Sequence, residues 1–485
     1  MKASLERLLD RRSFFKRTAA TGAAVAAGSL VTNGDLEAAM QSVNQMSRPS
    51  QLKITDLRIA TVEDAPMRVP LLKLYTNQGI VGLGEVRDGA DGRYALMLKS
   101  RLLGENPCDV DRLFRKIKQF GGHARQGGGV CGVEMALWDI AGKAYNVPAY
   151  QMLGGKFREK VRCYADTTVS MDPQEFGRRL QARRDEFGFT FLKMDVGVRM
   201  FPDDSKGLVS EPLGPKTPHE RRNVMHMFTG MELTPAGVKY IADFVGEVRK
   251  VIGMDVPLAA DHFGHFGVNS AIRLGKALEE HNLAWLEDMI PWQYPDLMKQ
   301  ITDAVDIPVL TGEDIYLKED FQRYVDMHAV DMVHPDLATS GGLLETKKIG
   351  DLAQEGGVAM AMHFAGSPVS FMANVHCAAA TENFVALEHH SVDVPWWKDM
   401  VEVTGSSKLP LFENGYANLQ DGPGLGVELV DDVIKEHLYE PGYFEPTPEW
   451  DKFPSNDRLW SFGREPKTLK AAPRKAMVKK LLEEA

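Results

Sequence analysis

Seven polar residues, Lys193, Asp261, Glu287, Glu313, Asp336, His363 and Glu388, each fall at the end of a short apolar run. A charge left there is costly unless it meets a partner or a metal ion. One acidic residue in such a place often only caps the next helix; seven in order call for more. Asp261, Glu287 and Glu313 stand at equal intervals of 26 residues. Three converging carboxylates suit a hard divalent ion with open positions, Mg²⁺ first and Mn²⁺ second. Zinc would instead be expected to recruit the histidines of "AADHFGHFG" (259–267), His262 and His265. Asp336 and His363 end the next two runs. An aspartate that fixes a histidine's tautomer and raises its basicity makes a general base. Alone, His363 reads as a structural histidine; its place in the series favours the base.

These residues can act together only if a scaffold gathers the ends of many strands. Eight apolar runs supply candidates: 160–167, 190–196, 256–262, 283–288, 307–314, 329–336, 357–364 and 384–390, most recurring every 22–28 residues with a helical pattern between. That rhythm predicts an α/β fold, a parallel (β/α) barrel, whose sites lie at the C-terminal strand ends. A doubly wound sheet is the runner-up, disfavoured because no GxGxxG turn follows the first strand. Upstream, from about residue 52, the pattern is α+β. "LKITDLRIATVE" and "LLKLYTNQGIVGLGEV" read as strands, with helices around 92–103 and 108–119. A longer helix over 130–155 is closed by Pro148 and Gly154–Gly155. Between the second and third barrel strands, 198–233 is rich in Pro, Gly and charge, a lid or substrate loop over the mouth. Thr234–Pro235 then starts a helix.

The chain has 485 residues, enough for a barrel with a second domain. Its net charge of -10 argues against nucleic acid or an anionic membrane surface as partner, though a bound cation would still admit an anionic substrate. The four cysteines have no metal-type spacing and read as buried thiols. Near the start, "DRRSFFKR" (10–17) precedes the Ala/Gly-rich run 18–31, too short to span a membrane. Arg11–Arg12 in that setting resemble a twin-arginine export signal over 1–40, with cleavage near Ala38–Ala39. The expectation is a periplasmic protein delivered by the twin-arginine machinery, with no membrane segment after cleavage.

Longer motifs carry a family resemblance. "GVEMALWDIAGKAYNVPAYQMLGG", "AADH", "WLED", "LTGED", "HPDLATSGG", "MHFAGSPVSFMANVHCAAA" and "DGPGLGVEL" together resemble the enolase superfamily, in its mandelate racemase/muconate lactonizing enzyme branch. Among its members the chain is most similar to acid-sugar dehydratases of the galactonate type. The resemblance implies a modified TIM barrel over 159–400 with an α+β capping domain. That domain would be built from 50–158 and a C-terminal segment, 401–445, followed by an extension over 446–485. It implies Asp261, Glu287 and Glu313 as magnesium ligands and Asp336–His363 as the dyad. Lys193 and Glu388 would hold the carboxylate of a sugar acid. Asp195 replaces the second lysine of the family's Lys-x-Lys motif, and Thr61–Arg68 and Glu85–Arg93 correspond to its specificity loops. The implied reaction removes the proton beside a carboxylate, then a β-hydroxyl as water, giving a 2-keto-3-deoxy acid. The general acid stays open: the galactonate-type histidine position is Phe263 here, leaving His265, His262, the insertion's His219, His226, Arg221 or Arg222, or no histidine at all. A homo-oligomer is implied as well. Alternatives are a racemase or epimerase, disfavoured by Asp195, and an exported carbohydrate-acid-binding protein without turnover.

Overall fold

The computed structural model describes residues 48–201, 206–210, 231–261 and 266–453. The signal-like segment, His219, Arg221, His262, His265 and the chain beyond 453 lie outside the described residues. The described residues from Leu52 to Phe453 form one compact unit.

It opens with an antiparallel sheet of β1 (Ile54–Val62), β2 (Val69–Thr76) and β3 (Val81–Glu85), in the order β1-β2-β3. The expected helix at 92–103 is two short turns, Arg93–Leu96 and Lys99–Leu102, before α1 (Val110–Ile117). Helix α2 (Gly128–Tyr145) is buried along nearly its whole length, as its apolar circumference requires. It ends earlier than expected, at Asn146 in the left-handed conformation; Pro148 instead starts the separate turn Ala149–Met152. Strand β3 lies directly on α2. A Cβ at Gly84 would fall 2.0 Å from the Gly132 carbonyl oxygen, so the contact needs glycine.

Asp139 of α2 holds three segments together. Its carboxylate accepts the Leu83 amide at 2.9 Å and the Leu425 amide at 2.8 Å, and Lys143 Nζ lies 2.7 Å away. Asp139→Ala would strand two buried amides and a lysine, costing about 3–5 kcal/mol of stability. Urea unfolding reads this directly, and a loss under about 1 kcal/mol would contradict the clamp.

The parallel strands are β4 (Lys160–Ala165), β5 (Leu192–Asp195), β8 (Leu258–Asp261), β9 (Leu286–Glu287), β10 (Val309–Thr311), β11 (Met332–Val333), β12 (Ala359–Met362) and β13 (Phe384–His389). They pair in that order, and β13 closes on β4. Helices α3 (Pro173–Phe187), α4 (Pro235–Ile252), α5 (Val268–Leu278), α6 (Pro295–Thr302), α7 (Lys318–Met327), α8 (Leu343–Glu355) and α9 (Pro368–Ala380) alternate with them. All eight expected strands are present, each shorter than its apolar run. Thr234 caps α4 as expected, its hydroxyl accepting the Gly237 amide with Pro235 in the first turn. Of the 198–233 insertion, β6 (Leu208–Ser210) and β7 (Met231–Leu233) form an antiparallel pair.

At the C-terminal side, β14 (Val401–Val403) pairs with β17 (Val427–Leu429). The hairpin β15 (Phe412–Glu413) and β16 (Tyr416–Asn418) adds antiparallel to β4. Leu438 bridges to Val62 of β1. Cys131, Cys163 and Cys377 are buried thiols and Cys108 is half-buried. Among the described residues no helix is long and apolar enough to cross a membrane.

Candidate active site

Side-chain alternation builds the site. Tyr164, Phe191, Ala259, Trp285, Leu310, Met332, Ala361 and Ala386 form an apolar plug inside the barrel. Two residues further along their strands come Lys193, Asp261, Glu287, His334, His363 and Glu388, on the same inward face. Strand β10 would break this series, because the residue two beyond Leu310 is Gly312. Its φ of +148° changes the phase, and Glu313 reaches His363 instead.

Lys193 stands at the centre, with Nζ 2.7 Å from Asp261, 2.8 Å from Glu388 and 3.8 Å from Glu287. All four are buried. Burial would lower the lysine's pKa, but Asp261, Glu287 and Glu388 hold it well above the ordinary value. Glu287 is pushed the other way: burial first, then Asp261, raises its pKa well above the carboxylate range. Trp285 Nε1 donates to its Oε2 at 3.0 Å, while Oε1 accepts no hydrogen bond among the described residues. Asp288 is likewise raised by burial and by Glu313. The cluster therefore holds more carboxylate than its cations neutralise.

His363 lies across from this group. Its Nδ1 is 2.6 Å from Asp336 Oδ2, and its Nε2 is 2.9 Å from Glu313 Oε2 and 3.7 Å from Glu388 Oε2. Burial opposes the imidazolium, but Glu313 and Glu388 raise its pKa well above the ordinary value. Glu313 is correspondingly held well below its own, against burial, by His363 and Arg87. Asp336 also caps the turn Leu337–Ser340 through the Ala338 amide at 2.6 Å.

The expected residues Lys193, Asp261, Glu287, Glu313, Asp336, His363 and Glu388 thus share one place. Asp195 ends β5 in register with Asp261 and is buried beside the group. Among the described residues no three Asp, Glu, His or Cys side chains stand as a closed metal-ligand set, since Lys193 lies between them.

Several participants carried no strand-end signal. Arg87, from the loop after β3, donates to Thr339 Oγ1 at 2.8 Å and to the Glu313 carbonyl at 3.1 Å, and forms an ion pair with Asp336 Oδ2 at 2.9 Å. It is fully buried and ties that loop to two barrel strand ends. His334 sits 2.7 Å from the Tyr164 hydroxyl and 2.9 Å from Glu287 Oε1; burial pushes its pKa down to about 3, so the ring is neutral. The "HPD" run contained it, but only barrel closure shows that it faces inward. Glu134 accepts the Leu343 and Leu344 amides at the start of α8, joining the long helix α2 to the barrel.

Glu85, next to this loop, accepts the Ser367 amide at 3.0 Å and the Ser367 hydroxyl, and burial pushes its pKa up to about 8. A raised folded-state value means the protonated form is favoured on folding. Its contribution is full below pH about 4.5 and is lost as pH rises through about 8. Glu85→Gln therefore gains stability relative to the parent as pH increases, by at most about 1.4 kcal/mol per unit across that window. Urea midpoints of the two proteins at pH 5 and 8.5 measure the difference; a constant offset would contradict a neutral Glu85.

A closed parallel barrel with carboxylates, a lysine and an Asp–His pair at its C-terminal strand ends places ionisable groups where barrel enzymes carry their active sites. Residues 175–433 match the family described as "Enolase C-terminal domain-like", and 36–154 match "Mandelate racemase / muconate lactonizing enzyme, N-terminal domain". The chain belongs to the enolase superfamily, in the mandelate racemase/muconate lactonizing enzyme branch. It is 34% identical to the D-xylonate dehydratase of Haloferax volcanii, over 80% of this chain and 89% of that protein. It is 26% identical to the arabinonate dehydratase of Saccharolobus solfataricus, over 79% and 93%. Among solved structures it is similar to a mandelate racemase/muconate lactonizing enzyme-like protein from Rubrobacter xylanophilus, with a TM-score of 0.70 and 31% identity. That match covers 81% of this chain and 99% of that one.

Proposed function

We propose that the protein is a Mg²⁺-dependent acid-sugar dehydratase acting on aldonic acids. The observation carrying this reading is the meeting of Lys193, Glu388 and the His363–Asp336 pair beside three further carboxylates in one buried pocket. The similarity to dehydratases of xylonate and arabinonate supports the substrate class.

Asp261, Glu287 and Glu313 would hold the ion. The residues fit one: buried carboxylates exceed their cations, burial and Asp261 raise the pKa of Glu287, and all donors are hard oxygens. When bound, Mg²⁺ supplies positive charge for the substrate carboxylate as its second negative charge develops. Lys193 supplies fixed positive charge on the same side, and its ammonium is secured by Asp261 and Glu388. Asp336 fixes the His363 tautomer; Nε2, which faces Glu313 at 2.9 Å here, would take the proton beside the carboxylate once Glu313 holds the ion. Arg87 prevents Asp336 from turning away. Loss of a β-hydroxyl then yields an enol that tautomerises to a 2-keto-3-deoxy acid.

A library of acid sugars, including uronic-acid oligosaccharides, incubated with Mg²⁺ in D₂O tests the reading. A dehydratase gives a keto acid trapped by semicarbazide. A racemase or epimerase keeps the hydroxyl and gains deuterium, and a binding protein changes nothing. We also infer export through Arg11–Arg12, tested by fractionating cells that carry the Arg11→Lys/Arg12→Lys variant, and a homo-oligomer, tested by light scattering.

A further inference from the structure

The barrel closes where β13 meets β4, in the register Glu388↔Tyr164 and His389↔Ala165. One step further, His390 stands beside Asp166, with Nε2 3.1 Å from Asp166 Oδ2. Glu388 and Tyr164 both point inward, where the Tyr164 hydroxyl donates to Glu388 Oε2 at 3.2 Å. Continued one residue past the strand ends at Ala165 and His389, the alternation puts Asp166 and His390 on that same face, about 7 Å further toward the mouth at about 3.3 Å per residue. A second Asp–His pair thus borders the site already described, above the residue that would hold the substrate carboxylate.

The pair is not completed as a structural one would be. His390 Nδ1 is buried and has no hydrogen-bond partner among the described residues. The two side chains keep 27% and 15% of their surface exposed, so they stand at the rim. Asp393, three residues on, is already engaged: Arg183 holds it through two contacts of 2.7 and 2.5 Å, and Thr168 Oγ1 donates at 3.3 Å. Asp166 is therefore the carboxylate assigned to His390, leaving one ring nitrogen for something else.

We propose that His390 is the general acid of the elimination and Asp166 its positioning residue, an assignment that rests on the dehydratase reading. His363 Nε2 takes the α-proton, and that bonding pair passes into the carboxylate. The pair returns to form the Cα–Cβ double bond as the Cβ–O bond breaks with its electrons on oxygen. The proton on His390 Nδ1 joins that oxygen, and water leaves. The neutral ring keeps its Nε2 proton on Asp166, and the imidazolium is restored through the exposed side of the pair after product leaves. This solves a problem of charge: hydroxide is a poor leaving group, and a second Asp–His pair lets its protonation proceed without returning the proton held by His363.

The test compares wild type, His390→Asn and Asp166→Asn on one aldonic acid and on its 3-deoxy-3-fluoro analogue, whose fluoride departs without protonation. Dehydration should fall about 10²–10⁴-fold in His390→Asn, and less in Asp166→Asn. Exchange of the α-proton in D₂O and fluoride release should stay close to wild type in both. Undiminished dehydration overturns the assignment. So does a parallel fall in exchange and fluoride release in folded protein, which would mean a role in binding or structure. If His390→Asn does not fold, the same comparison in Asp166→Asn decides. Wild type that neither exchanges nor eliminates with any acid sugar refutes the dehydratase reading itself, and this assignment with it.

Discussion

His363→Asn loses dehydration by about 10²–10⁴-fold, and exchange of the α-proton falls with it, because one group serves both observations. Asparagine is close in size and can still meet Asp336, so the loss reads the missing base rather than a collapsed pocket. The geometry makes the histidine hard to replace. Its Nδ1 is spoken for by Asp336, and Asp336 is itself held by Arg87 and by the Ala338 amide. Glu388 cannot turn to take the role, since it is pinned by Lys193 and Tyr164. Semicarbazide-trapped product and deuterium at the α-carbon, measured on the same sample, check it. Normal exchange with lost dehydration would move the base elsewhere and make His363 the acid.

That contrast shows what could be read from the residues. Asp261, Glu287 and Glu313 were legible because a parallel barrel repeats its strand-to-strand distance, and a carboxylate ending an apolar run is expensive enough to be noticed. Lys193, Asp336, His363 and Glu388 followed from the same logic. Arg87 did not, since it comes from a loop outside the barrel and its partners are some 226 and 249 positions away. Asp166 and His390 were hidden differently. His390 lay inside a run correctly read as the eighth strand, but a pair joining the first strand to the last exists only once the barrel closes. The helix at 130–155 failed on a local point: Asn146 in the left-handed conformation stops it before Pro148. The other candidates for the acid, His262, His265 and the insertion's His219 and Arg221, lie outside the described residues.

The cation gives the other large effect, and its sign differs between the loaded and unloaded protein. Glu287 is buried among Asp261, Glu388 and Glu313, which raise its pKa after burial itself, so its charge is a burden without an ion. Glu287→Gln removes that charge while its amide oxygen can still accept from Trp285 Nε1. In the presence of EDTA the variant should therefore unfold at a higher urea concentration than the parent. Adding Mg²⁺ should reverse the order. The parent gains about 2.7 kcal/mol when the ion is at a hundredfold its dissociation constant, and the variant gains little because a ligand is gone. Calorimetric titration of each protein with Mg²⁺ reads binding without any substrate, and activity in the variant should be lost with it. A stabilising role for Glu287 in the ion-free protein, seen as a lower urea midpoint for Glu287→Gln in EDTA, would mean that Lys193 alone satisfies the cluster and that the carboxylates are not poised for a cation.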